Sequence, residues 1–243
     1  MQPDCFRTAN GERVPAITAD EMRTVDRLAV EEIGLSLLQM MEHAGRNLAR
    51  AALAVDADRI TVLAGGGGNG GGGLACARHL SNRGRLQAVV LDREPTAVDG
   101  AAASQLQLLD RMDVPIRVGG FPAATGTDLL VDALIGYGLE DAPRGTAAEL
   151  IEAATSSGVS SLSLDVPSGV DATTGERPGV AIEPDRTLTL ALPKTGLVDQ
   201  PVDLLLGDLG IPAVVYEEAG IPYSHPFGEE FVVELVTSDD ELI

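Results

Sequence analysis

Lysine occurs once in this chain of 243 residues, at Lys194, and the other sixteen basic residues are arginine. Against thirty-seven acidic residues they leave a formal charge of −20, which repels a phosphate backbone or an anionic bilayer surface. Nucleic acid and membrane are therefore excluded as expected partners. An acidic surface depleted of lysine fits a protein kept soluble in high salt, and equally a GC-rich genome that replaces Lys with Arg. Cysteine is scarce too: Cys5 and Cys76 stand far apart and form neither a disulfide framework nor a metal pair. Residues 1–9 lack an apolar signal region, and no uninterrupted apolar run approaches the about 20 residues needed to span a bilayer. A soluble chain in a reducing compartment, the cytoplasm, is the expectation.

What is present is enough apolar residue, 44% of the chain, for one sizeable core without an inter-domain linker. We expect a single domain over residues 1–243, with a core at about 16–212 and an acidic extension at 213–243. Thr18-Ala19-Asp20-Glu21 has capping-box spacing and precedes apolar residues at Met22, Val25, Leu28 and Ala29, predicting a helix over 19–32. A second helix is predicted over 37–55. Short leucine-rich or β-branched runs then alternate with alanine-rich stretches: strands are predicted at 59–64, 86–91, 116–118, 129–134, 160–166 and 187–192, and crossover helices at 73–83, 98–112 and 147–156. Such apolar strands, separated by helices, are buried on both faces. The predicted fold is a three-layer α/β/α, Rossmann-like arrangement with a mainly parallel sheet. The tail reads as a surface appendage with a short final strand at 230–236.

Between the first of these strands and its helix lie nine residues, 65–73, of which all but Asn69 are glycine. Glycine lets backbone N–H groups turn towards a ligand, and the helix N-terminus behind adds positive partial charge. A phosphate or other anion is the natural guest. Asp92, at the end of the next strand, stands where a dinucleotide fingerprint places its ribose-binding acid, so an NAD-dependent dehydrogenase is one reading. Two further aspartates end buried strands, Asp132 in Val131-Asp132-Ala133-Leu134-Ile135-Gly136 and Asp165 in Leu164-Asp165-Val166-Pro167-Ser168-Gly169. In a parallel sheet these ends share one edge with the glycine run, which brings Asn69, Asp132, Asp165 and Ser168 to one crevice. Oxygen donors of this kind suit a hard monovalent or divalent cation rather than zinc.

The order Met41-Glu42-His43-Ala44-Gly45, the glycine run with Leu74-Ala75-Cys76-Ala77-Arg78-His79-Leu80, the two aspartate motifs and Ala191-Leu192-Pro193-Lys194-Thr195-Gly196-Leu197 resembles the YjeF N-terminal domain family of NAD(P)H-hydrate epimerases. The resemblance covers about residues 16–212. It implies an isomerase that interconverts the R and S forms of hydrated NADH or NADPH, so that a separate ATP- or ADP-dependent dehydratase can restore the nucleotide. It implies one potassium ion per subunit, held by Asn69, Asp132 and Ser168. Substrate contacts are implied at Gly68, Asn69, Gly70, Gly71 and Gly72, at Gly136, Tyr137, Gly138, Leu139, Glu140, Asp141 and Ala142, and at Asp165. A homodimer is implied as well. Inversion at the hydroxylated ring carbon needs proton transfer, and Asp165 is the candidate acid/base.

The family's glycine loop carries Pro, Asn and Asp where this chain has Gly66, Gly68 and Gly72, and its M-E-N-A-G motif has Asn in place of His43. These departures motivate a second reading, a member that binds a nucleotide or metabolite without turnover. Lys194 is singled out because a compact ammonium fits where a guanidinium does not. His43 and His79 are read as helix-packing or surface residues, and His225, in coil, has no assigned role.

Overall fold

The computed structural model describes residues 5–120, 126–198, 200 and 202–237. In chain order the elements are β1 (Cys5–Thr8), β2 (Arg13–Pro15), α1 (Ala19–Leu28), α2 (Leu37–Leu53), β3 (Ile60–Ala64), α3 (Gly68–Ser81), β4 (Leu86–Leu91), α4 (Gly100–Arg111), β5 (Ile116–Val118), β6 (Leu129–Ala133), α5 (Gly145–Ser156), β7 (Ser161–Leu164), β8 (Arg186–Leu190), β9 (Asp203–Gly207), α6 (Ala213–Glu218) and β10 (Val232–Thr237). The Thr18–Glu21 capping box forms as predicted and starts α1, whose last residues run into a π-helical turn, Ala29–Ile33, ended by Gly34 at φ +79°. Ser36 and Gln39 make a second capping box at the start of α2.

The strands form one ten-stranded sheet in the order β2-β1-β10-β9-β8-β7-β6-β3-β4-β5. From β5 to β9 every pair is parallel, whereas β10, β1 and β2 add an antiparallel wing. Side chains alternate across the sheet as strand geometry requires. Val62 and Ala64 face a core shared with α2, α3 and α4, while Leu63, with Val90 and Leu130, faces Leu150, Ile151 and Ala154 of α5. The chain order reverses between β3 and β6, so the crevice beyond their C-terminal ends is the switch point where α/β sheets hold ligands.

Three expectations change. Most of the glycine run is not a loop: α3 begins at Gly68, five residues before the predicted helix start, and only Gly65–Gly67 connect it to β3. The tail is not a surface appendage, because β10 is hydrogen-bonded between β9 and β1, and Val215, Tyr216 and Phe227 are buried in the core that also holds Phe6. The acids Asp239, Asp240 and Glu241 lie outside the described residues. The strands β1, β2 and β9 were not predicted; β9 lies within the expected core at 16–212, whereas β1 and β2 precede it in sequence and join the sheet beyond β10.

Candidate active site

A cavity of about 810 Å³ opens at the switch point, lined from β3–α3 by Gly66, Gly67, Gly68 and Asn69, and from the segment after β6 by Gly136, Tyr137, Gly138 and Glu140. Asp165 and Lys194 close its inner side, and α1 and α2 supply Met22, Asp26, Met40, Met41 and Ala44. Of the residues that the sequence nominated for substrate, Gly70, Gly71, Gly72, Leu139, Asp141 and Ala142 do not line it.

The glycines explain how α3 comes so close. A Cβ on Gly70 would overlap the Gly65 carbonyl, so the turn from β3 into α3 admits no side chain there. At Gly72 a Cβ would lie 2.9 Å from Leu164 Cδ2 and 3.5 Å from Ala44 Cβ. Leu164 therefore fills the space that a side chain at position 72 would need. Gly68 is different, since nothing lies within 4 Å of a Cβ built there. The first helical bond of α3 runs from Gly71 N to Gly67 O (2.9 Å), which leaves the N–H groups of Gly68 and Asn69, two cavity-lining residues, outside the helical ladder.

Asp165 sits just past β7 with φ +68°, a left-handed conformation that costs a non-glycine residue about 1–3 kcal/mol. The turn is closed by Val166 N donating to Leu164 O (2.9 Å). Past β8, Ala191 repeats it at φ +60°, with Leu192 N donating to Leu190 O (2.7 Å). These two strained turns face one ammonium. Lys194 Nζ donates to Asp165 Oδ1, to Leu190 O (2.9 Å) and to Leu192 O (3.1 Å), and its residue is 1% exposed. The other Asp165 oxygen accepts from Tyr137 N (3.2 Å). Tyr137 in turn donates its hydroxyl to Asp26 Oδ2 (2.5 Å), and Lys194 Nζ lies 5.8 Å from its ring centre. Burial raises the Asp26 carboxyl above its ordinary range, and burial together with the Asp26 charge raises the Tyr137 hydroxyl.

Asp132 and Ser168 are buried behind the cavity rather than in its wall. Asp132 accepts from Ser168 Oγ (2.6 Å), Ser168 N (2.9 Å), Ser163 Oγ (2.8 Å) and Leu134 N (3.2 Å), all neutral donors. Burial accordingly raises its carboxyl. Ser168 Oγ also accepts from Ile135 N (2.9 Å). Asn69 approaches from the other side: its carboxamide stands about 3.0 Å from where a Cβ on Gly136 would be, and its Nδ2 is buried without a partner.

The Met41–Gly45 segment is structural. Glu42 accepts from Arg78 at 2.5 Å and from Gln105 at 3.1 Å, tying α2 to α3 and α4. His43 Nδ1 donates to Leu209 O (2.6 Å), so this histidine packs α2 against the segment after β9, as expected. His79, 3.8 Å from Glu42, supports the same seam and does not line the cavity. Asp92 does line it, but both its oxygens are taken by Arg93. The sequence reading missed Asp26 and Arg93. An acid four residues after buried Met22, on the apolar face of α1, was the available signal for Asp26. Among the described residues no group of three or more His, Cys, Asp or Glu side chains could hold a metal ion, and no helix is long and apolar enough to cross a membrane.

Comparison with known proteins gives this cavity its relatives. A profile described as "YjeF-related protein N-terminus" matches residues 37–196. An NAD(P)H-hydrate epimerase of Dehalogenimonas lykanthroporepellens is 46% identical over 96% of this chain and 98% of its own length. One of Rhodopirellula baltica is 35% identical over 76% of this chain and 78% of its own. A bifunctional NAD(P)H-hydrate repair enzyme of Hyperthermus butylicus is 41% identical over 76% of this chain but only 36% of its own length. In structure, yeast ynu0 superposes with a TM-score of 0.78 at 23% identity, covering 91% of this chain and all of that one, which establishes the likeness of fold. With the profile spanning most of the residues that line the cavity, and one relative aligned along nearly the whole length, the chain belongs to the YjeF-related N-terminal family.

Proposed function

We propose that this chain is an NAD(P)H-hydrate epimerase, an isomerase that interconverts the R and S hydrates of NADH and NADPH. The observation that carries the proposal is the buried Asp165–Lys194 pair at the inner end of a cavity of about 810 Å³, in a chain whose relatives bear that name. Epimerisation can proceed by breaking and remaking one C–O bond. The ring nitrogen's lone pair forms a C=N bond as the hydroxyl leaves with a proton, as water. Water then adds to the opposite face and returns a proton. No net proton is consumed. Asp165, hydrogen-bonded to the buried Lys194 ammonium, is the acid/base of this reading: with Lys194 it would give a proton to the departing hydroxyl and recover it from the incoming water. The negative charge left behind stabilises the cationic ring. Tyr137 N–H and the two strained turns fix the carboxylate's direction.

A potassium ion fits the oxygen set of Asp132, Ser168 and Asn69. The buried Asp132 carboxylate has only neutral donors, and the Asn69 amide can present oxygen in place of its unpartnered nitrogen. Bound there, the ion would supply positive charge beside the 135–136 loop. A separate dehydratase would consume the S hydrate, in keeping with bifunctional relatives that are much longer than this chain. A homodimer in the cytoplasm completes the proposal, and a reducing compartment suits the buried free thiol of Cys76.

The direct test supplies the R hydrate to an S-specific dehydratase and follows recovery of reduced nucleotide. The purified chain should accelerate recovery well above the spontaneous rate, and Asp165→Asn should lower that acceleration by about 10²-fold or more. Tight nucleotide binding with no acceleration, in low or high salt, would establish the non-catalytic reading instead.

A further inference from the structure

At the C-terminal end of β4 an acid and a base follow one another, Asp92 and Arg93. The Asp92 side chain is 6% exposed and the Arg93 side chain 46%. Arg93 Nε donates to Asp92 Oδ1 at 2.8 Å and Nη2 donates to Oδ2 at 3.0 Å, the two-pronged geometry that fixes a guanidinium plane. These bonds use one edge of the fork and leave the Nη1 donors for a second oxyanion. Both residues line the cavity that ends at Asp165 and Lys194.

The glycine turn is shaped to seat this arginine. A Cβ at Gly66 would lie 2.6 Å from Arg93 Nε and 2.7 Å from its Cδ and Cζ, so the side chain lies directly across the Gly66 Cα. In the sheet, β4 flanks β3 on one side, and β6 and then β7 follow on the other. Arg93 and Asp165 therefore mark opposite ends of the crevice, with the β3–α3 turn between them. A dinucleotide whose nicotinamide ring meets Asp165 lays its adenosine ribose at the end of β4.

A free carboxylate at that position accepts hydrogen bonds from the ribose hydroxyls and repels a phosphate. Here the carboxylate is buried under a guanidinium, and the group turned towards the cavity is a cation. We propose that Arg93, oriented by Asp92 and seated on Gly66, binds the 2′-phosphate of the adenosine ribose, so that the site prefers 2′-phosphorylated nucleotides and hydrated NADPH over hydrated NADH. The proposal rests on the reading of the cavity as a nicotinamide-nucleotide site. A local cation is required because a chain of charge −20 offers no general attraction for so anionic a ligand.

The test is calorimetric titration of the intact chain with NADP⁺ and with NAD⁺, beside kcat/KM for the two hydrates. NADP⁺ should bind at least about tenfold more tightly than NAD⁺, the scale of a hydrogen bond to a charged group. Arg93→Ser should bring the ratio close to one. Gly66→Ala, which keeps the arginine but takes its seat, should lower the ratio in the same direction. Equal affinities in the unaltered chain, no binding of either nucleotide, or an equal loss for both in Arg93→Ser would overturn the proposal; the last would assign Arg93 to the diphosphate bridge. An NADP⁺ preference without epimerase turnover would sink the catalytic reading and leave this one standing. Turnover of both hydrates with equal kcat/KM would do the reverse.

Discussion

Lys194 is held at three points, by Asp165 Oδ1 and by the carbonyls of Leu190 and Leu192, and neither charged residue is more than 3% exposed. Removing one member of such a pair leaves a buried charge without a partner, which costs about 3–5 kcal/mol, whereas replacing both by apolar groups can be nearly neutral. Lys194→Met should therefore lower the urea midpoint sharply, and Lys194→Met with Asp165→Leu should recover much of the loss without restoring turnover. A single variant as stable as the parent would contradict the buried pair. Asp26 makes a separate, pH-dependent case. Burial raises its carboxyl, so the folded state binds that proton more tightly than the unfolded chain does. Its contribution to stability is full below the unfolded carboxyl value of about 4 and is lost as pH rises through the folded value. Asp26→Asn keeps an acceptor for the Tyr137 hydroxyl and has nothing to titrate. Its thermal midpoint relative to the parent should be lowest near pH 4 and climb towards neutrality; a flat difference would show that burial of Asp26 is not felt.

Within elements, α3 shows why a glycine-rich sequence is hard to interpret. Glycine in a helix interior costs roughly 0.5–1 kcal/mol relative to alanine, and periodicity gave no reason to begin the helix before residue 73. What favours helix is tertiary approach: α3 lies so close to the Gly65 turn, to Leu164 of β7 and to Ala133 of β6 that side chains on Gly70, Gly72 and Gly73 would run into them. The positions can be separated by mutation. Gly70→Ala should abolish cooperative folding, because the new methyl overlaps the Gly65 carbonyl. Gly68→Ala, in open space at the first helical position, should be neutral or raise stability by up to about 1 kcal/mol. Equal effects at the two sites, measured by chemical denaturation, would refute this account of the helix. The parallel strands other than β9 were legible because each is a short apolar run beside a helical pattern, as α5 was through its alanine-rich stretch, and the strand ends led to Asp132 and Asp165. Lys194 stood out through being the lone lysine. Asp26 and Arg93 were missed because each depends on a neighbour distant in sequence, Tyr137 for one and the Gly66 turn for the other. The short strands β1 and β2 lack any periodic signal, and they belong to the sheet because β10 pairs with β1.

That wing decides how the whole molecule holds together. Phe6 of β1 and Leu235 of β10 are both buried in the core that contains Leu204 and Leu206 of β9, so the two ends of the chain jointly close one side of the sheet. Ending the chain after Gly228 removes β10 and exposes the β9 edge. At about 1.5–3 kcal/mol for each large apolar side chain, loss of the Phe6 and Leu235 burial alone amounts to about 3–6 kcal/mol. The thermal midpoint should fall on the order of 10 °C, and amide exchange at residues 204–206 should quicken while β3 and β6 stay protected.

Charge acts at the same scale, since −20 on one folded chain repels itself, and salt relieves that repulsion as the screening length shrinks from about 10 Å at 0.1 M to about 3 Å at 1 M. Screening does not distinguish cations, whereas a site built from Asp132, Ser168 and Asn69 does. Thermal unfolding in potassium chloride and in choline chloride at matched ionic strength separates the two effects. Both salts should raise the midpoint, and potassium should add a further rise that saturates with concentration, as ligand binding to the native state requires. Ser168→Ala removes one oxygen of the set while leaving the Asp132 carboxylate in place, so it should erase the potassium-specific part and keep the general one. If the two salts act alike in the parent chain, the potassium proposal falls. If neither raises the midpoint, self-repulsion does not limit this fold, and its acidity needs another cause.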